Sequence, residues 1–263
     1  MTNDRKARAE RAEQMRKERE KADRRQRNLI SIGIVAIVIV LIGVAAVAIN
    51  QTSKSNERAT EVVEPRNIVD GGAVYEPTTE VEGDTEPVLV EAYEDFLCPG
   101  CGQFEAMVGP WLKQQAEEGR ITLSFRPYSF LDDLGGSSNE YSRRAMNIAM
   151  CALDEQGSAA FYSVKDALFA AQPSEGGNGP ENDALLATAK DAGVTVSESC
   201  VRTGKFIPWI DAEREKAQEE REVSGTPTVF VDGEEVSGPV GENGRGTIPG
   251  IEDIDKAITA AAS

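Results

Sequence analysis

Phe96-Leu97-Cys98-Pro99-Gly100-Cys101 decides how this chain is read. Two cysteines stand two residues apart, after an apolar run (Val88-Leu89-Val90) and before an amphipathic helical pattern from Gln103 to Glu118. That order is a strand followed by a Cys-x-x-Cys at the mouth of a helix. A thiol placed there faces unpaired backbone N–H groups and the positive end of the helix dipole. Both favour the thiolate, which is the nucleophile in disulfide exchange. A redox-active dithiol is the first expectation. Two alternatives stand beside it. One is a structural disulfide, although a four-residue ring is tight. The other is half of a metal site, although structural zinc wants four ligands and this motif offers two.

The rest of the composition narrows the chemistry. The chain of 263 residues has no histidine, which removes His-based triads, general bases and metal ligands. Its net charge of −17 is unevenly spread. Residues 1–28 hold 11 basic and 6 acidic residues out of totals of 28 and 45, leaving 17 against 39 for the remainder. So acidic a remainder is a poor nucleic-acid binder, and no nucleic-acid partner is expected.

Residues 1–28 read as a solvated basic arm on the cytoplasmic side of a membrane. Residues 29–49, LISIGIVAIVIVLIGVAAVAI, are 21 uncharged residues. As a helix they span about 30 Å, the thickness of a bilayer core. Arg24, Arg25 and Arg27 precede them, so the positive-inside rule keeps the N-terminus cytoplasmic and exports the rest. A cleaved signal peptide is the rival, with Ala46-Val47-Ala48 as its site. The apolar run is too long and the leading arm too extended for that, and an uncleaved anchor in the lipid bilayer is expected. Residues 50–66 read as a tether.

Residues 67–263 then carry the folded domain. A short hairpin is expected at Ile68-Val69 and Ala73-Val74-Tyr75, and a strand from Val88 to Tyr93. Helix one runs to about Glu118, interrupted at Gly109-Pro110. A second strand, Ile121 to Phe125, is stopped by Arg126-Pro127, giving a β-α-β unit with parallel strands. A helical stretch follows. It opens on a capping box, Ser137-x-x-Glu140, before a helix from Tyr141 to Asp154. Further helices are expected at Ala159 to Ala171, Asn182 to Ala192, around Cys200, and Pro208 to Glu222. Thr228 to Val231, a turn at Asp232-Gly233 and a return strand at Glu235-Val236 form a hairpin. A Gly-rich loop from Gly238 to Gly250 lacks the spacing of a phosphate loop, and a final amphipathic helix runs from Ile251 to Ala262.

Tyr93-Glu94-Asp95-Phe96-Leu97-Cys98-Pro99-Gly100-Cys101-Gly102-Gln103-Phe104-Glu105, then Gly225-Thr226-Pro227-Thr228-Val229-Phe230-Val231-Asp232-Gly233 and Val236-Ser237-Gly238, resemble the DsbA-like branch of the thioredoxin superfamily. More narrowly, over about residues 66–263 the chain looks like the membrane-anchored DsbA-like oxidoreductases of actinobacteria. The resemblance implies an α/β thioredoxin fold with a helical domain inserted at about 137–205. It implies a cis Thr226–Pro227 bond beside the dithiol, with the Thr226 main chain free to pair with an extended substrate. It also implies thiol–disulfide oxidoreductase activity without an organic cofactor or a metal, on reduced exported polypeptides. The partner that reoxidises it would be a quinone-linked membrane protein, DsbB-like or similar to vitamin K epoxide reductase. One departure matters. Strongly oxidising members carry His where this chain has Gly100, so the alternative of a reductase or isomerase using the same pair stands open.

Cys98 and Cys101 are the expected catalytic pair, with Pro99, Gly100, Thr226 and Pro227 forming the surrounding loops. Glu91, Glu94 and Asp95 are candidates to accept the Cys101 proton; close to the sulfur of Cys98, Glu94 and Asp95 would also raise its pKa. Phe104 and Trp111 are expected in the core. Exported cysteines seldom stay free, so Cys151 and Cys200 are expected to form a structural disulfide. A second redox pair or two buried thiols are the alternatives.

Overall fold

The computed structural model describes residues 58–78, 86–241 and 246–263. The expected basic arm, the membrane helix at 29–49 and most of the tether lie outside them. Among the described residues no helix is long and apolar enough to cross a membrane.

Five strands form one sheet: β1 (Ala73–Val74), β2 (Val88–Glu94), β3 (Ile121–Pro127), β4 (Thr228–Val231) and β5 (Glu234–Val236), in the order β1-β3-β2-β4-β5. β2 lies at the centre, parallel to β3 and antiparallel to β4. Between β2 and β3 the chain forms α1 (Pro99–Met107) and α2 (Gly109–Glu117), separated at Val108. The break falls where Pro110 cannot donate a helical hydrogen bond. α2 packs on β3, and α8 (Ile251–Ala261) packs on β4 and β5. This is a thioredoxin fold, and the elements between β3 and β4 are its helical insertion.

The insertion is built on α3 (Tyr141–Gln156), which has twelve buried residues. Ala145, Ala149 and Ala152 on α3 let its neighbours approach closely. Those neighbours are α4 (Ser158–Ala170), α5 (Asn182–Asp191), α6 (Glu198–Thr203) and α7 (Ile207–Arg221). Cys151 on α3 and Cys200 on α6 are joined by a disulfide. Phe96, just before the dithiol, stacks on Phe125 of β3 at 5.7 Å and meets Phe169 of α4 at 4.8 Å. The two halves of the domain therefore share one aromatic core next to the motif. Phe104 is fully buried in that core and Trp111 packs partly buried against it.

Four local expectations need correction. The segment Ala73–Val74 does not pair within its own hairpin beyond a single bridge at Val69 and Gly72; it adds to β3, opposite Phe125 and Ser124. β3 does not stop at Arg126-Pro127 but runs through it. Pro127 is tolerated as the last residue of the strand, where β1 no longer reaches and no donor is needed. The capping box is only half formed. Ser137 Oγ accepts the Tyr141 N–H at 2.8 Å, but Glu140 has φ 56° and pairs with Arg58 instead of capping. Asp132 completes the cap, accepting the N–H groups of Ser142 and Arg143. Finally, the described end of the tether is not free. Arg58 reaches Glu140, the Ala59 N–H donates to Thr203 O, and Arg66 pairs with Asp154, so residues 58–66 lie along the insertion.

Candidate active site

Cys98 is the N-cap residue of α1 and Pro99 its first helical residue. Pro suits that position because its missing N–H would have had no helical partner. Cys101 lies one turn in. Both thiols are free, and Cys98 keeps 8% of its surface accessible against 0% for Cys101. Cys98 is thus the sulfur a partner can reach. The Thr226–Pro227 bond is cis. It brings the Thr226 carbonyl within 3.3 Å of Cys98 Sγ, which donates to it as a thiol.

The two thiols have opposite electrostatics. The Cys98 pKa is lowered from 9.0 to about 6, first by the hydrogen bond from Cys101, then, against the cost of burial, by the Thr226 side chain and the N–H groups of Cys101 and Gly100. Cys101 is pushed well up, first by burial, then by its bond to Cys98 and by Glu94. The pair is asymmetric: the outer sulfur has the lowered pKa and the inner one the raised pKa.

Gly100 faces the cis-proline loop. A Cβ there would lie 3.1 Å from Ile248 Cδ1 and 3.2 Å from Pro227 Cδ. The Gly-rich loop therefore contributes Ile248 to the wall of the site, and a larger residue at 100 would have to displace it.

The three candidate acids part company. β2 alternates, so Glu94 shares a face with Val90 and Ala92, while Glu91 points the other way. Glu91 is held by Arg126 and by Arg221, the latter at 3.2 Å. Asp95 accepts the N–H groups of Leu97, Phe130 and Leu131 at 2.8, 3.0 and 3.1 Å, tying the motif to the loop after β3. Glu94 is fully buried, and neither oxygen makes a hydrogen bond among the described residues. Burial, then repulsion from Glu105, pushes its pKa well up, with Lys165 opposing. Of the two acids beside the motif, Glu94 loads the inner thiol and Asp95 is tied to backbone, so the Cys98 pKa falls despite them.

Lys165 is a site residue that sequence reasoning missed. It is buried on α4, 2.5 Å from Glu105, and its ring neighbours are Tyr162 and Phe169. Burial alone would lower its ammonium, but Glu105, Glu94 and Asp166 more than offset this. The available signal was a single cation inside the apolar run Ala159-Ala160-Phe161-Tyr162-Ser163-Val164-Lys165. Among the described residues no group of three or more His, Cys, Asp or Glu is arranged to hold a metal ion.

Comparison with known proteins agrees with this geometry. Residues 76–247 match the family model described as thioredoxin, and the chain belongs to that family. It is 30% identical to the disulfide bond oxidoreductase DsbG of Mycobacterium tuberculosis, covering 73% of this chain and 94% of that one, with a TM-score of 0.54. To the reduced DsbA of the same organism it is 29% identical, covering 73% of this chain and all (100%) of the other, again with a TM-score of 0.54. A curated relative, the probable disulfide bond formation protein D of Bacillus cereus, is 25% identical over 158 residues, which are 57% of this chain and 68% of the relative. Within the thioredoxin family, then, this chain is a thiol–disulfide oxidoreductase of the DsbA type.

Proposed function

We propose that this protein is a membrane-anchored, extracytoplasmic oxidant that introduces disulfides into exported polypeptides through Cys98 and Cys101. The observation that carries the direction is the depressed Cys98 pKa of about 6. A stabilised thiolate exists only in the reduced pair, so it favours reduction of the enzyme and oxidation of the substrate. Two features support the location. The basic arm followed by 21 apolar residues has the charge pattern of an anchor with its C-terminal part outside. The Cys151–Cys200 disulfide belongs to an oxidising compartment.

In the forward reaction a substrate thiolate attacks Cys98 Sγ of the oxidised pair. The Cys98–Cys101 bond breaks, a mixed disulfide forms, and Cys101 leaves as a thiolate. In this reading Glu94, whose raised pKa keeps a proton available, protonates Cys101, and in the reverse reaction it takes that proton back. A second substrate thiolate attacks the substrate sulfur of the mixed disulfide. It expels Cys98 as its stable thiolate; the two electrons now rest on the reduced pair, and of the two protons the substrate thiols released on ionising, one replaces the proton Glu94 gave to Cys101 and the other stays in solvent. Lys165 and Glu105 hold the charge around Glu94. Turnover then needs a membrane reoxidase of the quinone-linked kind, which restores the disulfide. Thr226 and Pro227 flank the cleft where an extended substrate would lie.

The direct test is oxidative refolding of a reduced, denatured disulfide protein by the oxidised enzyme. The expected result is catalysed recovery of native disulfides. Recovery no faster than with free glutathione, alongside efficient reduction of insulin, would favour the reductase reading.

Glu94→Gln makes two opposite predictions. A carboxyl whose folded pKa is raised costs stability as pH climbs above its unfolded value near 4.5. The variant is therefore more thermostable than the parent at pH 8, with the gain vanishing toward pH 4. Meanwhile proton transfer at Cys101 slows, and turnover at pH 7 falls by roughly tenfold to a hundredfold, within the range of general acid–base effects. Equal stability at pH 8 and unchanged turnover would remove Glu94 from the mechanism.

A further inference from the structure

One amide joins the inserted domain to the nucleophile. Gln172 follows the C-terminal end of α4, and its Nε2 donates to two carbonyls at once, Phe96 O and Cys98 O, each at 2.9 Å. Both partners can only accept, so the amide orientation is settled by chemistry. The Cys98 carbonyl also accepts the Gly102 N–H at 3.1 Å, the first helical bond of α1. Two donors thus converge on the carbonyl of the N-cap residue, and a third contact pins the residue two before it. The other end of the amide packs on the helix. A Cβ at position 102 would lie 2.4 Å from Gln172 Oε1, so any larger residue there turns the amide aside.

We propose that Gln172 is a positioning residue for the reaction: from the inserted domain it clamps the backbone on both sides of Leu97 and so fixes the turn that aims the Gly100 and Cys101 N–H groups at the Cys98 sulfur. The inference rests on Cys98 being the nucleophile and is indifferent to the direction of the reaction. The physical argument is one of angle and reach. The stabilisation of the thiolate includes those two N–H groups. Hydrogen bonds weaken steeply when misaligned, so a turn free to rotate loses them even with every residue of the motif intact. The turn has a second hold in Asp95, which grips the Leu97 N–H. Asp95 fixes the donor side of this peptide run, and Gln172 fixes the acceptor side. The ring of Phe169, one turn back on α4, meets Phe96 at 4.8 Å and keeps α4 in place.

The clamp predicts a coupled pair of variants. Gln172→Met keeps the length of the side chain and removes both donors. Gly102→Ala keeps Gln172 but drives a methyl group into its amide, in a helix that alanine otherwise favours. In the reduced full-length chain, the Cys98 thiolate is titrated by its ultraviolet absorbance, and its alkylation rate is read at acidic pH. Glu94 and Cys101, the titrating groups that face Cys98, are unchanged in all variants. Each variant is expected to move the Cys98 titration upward by about one unit, seen as roughly tenfold slower alkylation below pH 6. The double variant is expected to be no worse than either single one, because both act through the same amide. A role in packing alone would lower the melting temperature and leave the titration where it was. If Gln172→Met does not fold, Gly102→Ala decides alone. A Cys98 titration unchanged in Gly102→Ala, or additive shifts in the double variant, would overturn the proposal. A shift in titration together with failure of the oxidative refolding assay would leave the clamp standing and sink only the proposed direction.

Discussion

Cys98→Ala loses more than about a thousandfold in catalysed disulfide exchange, the scale expected when a nucleophile is removed outright. Cys101→Ala has a different outcome. Its Cys98 thiolate still attacks a disulfide-bonded substrate and expels one substrate thiolate, but no neighbouring thiol resolves the mixed disulfide, so that species accumulates. The asymmetry of the site demands this difference. Cys98 has the accessible surface and the low pKa of about 6, while Cys101 is enclosed and held protonated. The check is a refolding assay for rate, paired with non-reducing electrophoresis and mass spectrometry for the trapped species. Activity within tenfold of the parent in Cys98→Ala, or trapping through Cys101 in that variant, would contradict the assignment.

Removing the second cysteine pair costs stability and spares chemistry. The Cys151–Cys200 disulfide closes a loop with a sequence separation of 49 residues. In the chain-entropy model its loss destabilises the fold by about 4 kcal/mol. For a domain of this size that lowers the melting temperature by roughly 8–16 °C. The junction is further fixed by Asn147, which donates to Cys200 O at 3.2 Å and accepts the Phe206 N–H at 2.9 Å. The double replacement Cys151→Ala, Cys200→Ala should therefore still fold at 20 °C, with exchange activity close to the parent's. Single replacements are a poorer test, because the orphan thiol can attack the active-site disulfide. Calorimetry of the double variant reads the cost. A melting temperature within 2 °C of the parent would remove the stabilising role. Loss of turnover in a folded double variant would instead make this pair a second redox centre.

The dithiol was legible because its signal is local, whereas the cis Thr226–Pro227 bond followed only from the family resemblance. A strand, a Cys-x-x-Cys and a helix in sequence place a thiol at a helix tip whatever surrounds it. The β4–β5 hairpin was legible at Asp232-Gly233 for the same reason. How the three candidate acids divide was not. The alternation of β2 puts Glu94 on the face of Val90 and Ala92, but only the packed structure says that this face holds the dithiol. Glu91 is occupied by ion pairs with Arg126 and Arg221, the latter 130 positions away. Lys165 and Gln172 were illegible as site residues because their role depends on α4 lying across α1, a long-range contact. The pairing of β1 failed for the same reason, since a two-residue strand carries no pattern that names its partner.

The most direct test of the account is the reduction potential of the Cys98–Cys101 pair, measured at equilibrium with glutathione at pH 7. A thiolate stabilised at Cys98 predicts a pair more oxidising than thioredoxin, with a potential above about −270 mV. A potential at or below about −270 mV would contradict the proposed role as an oxidant.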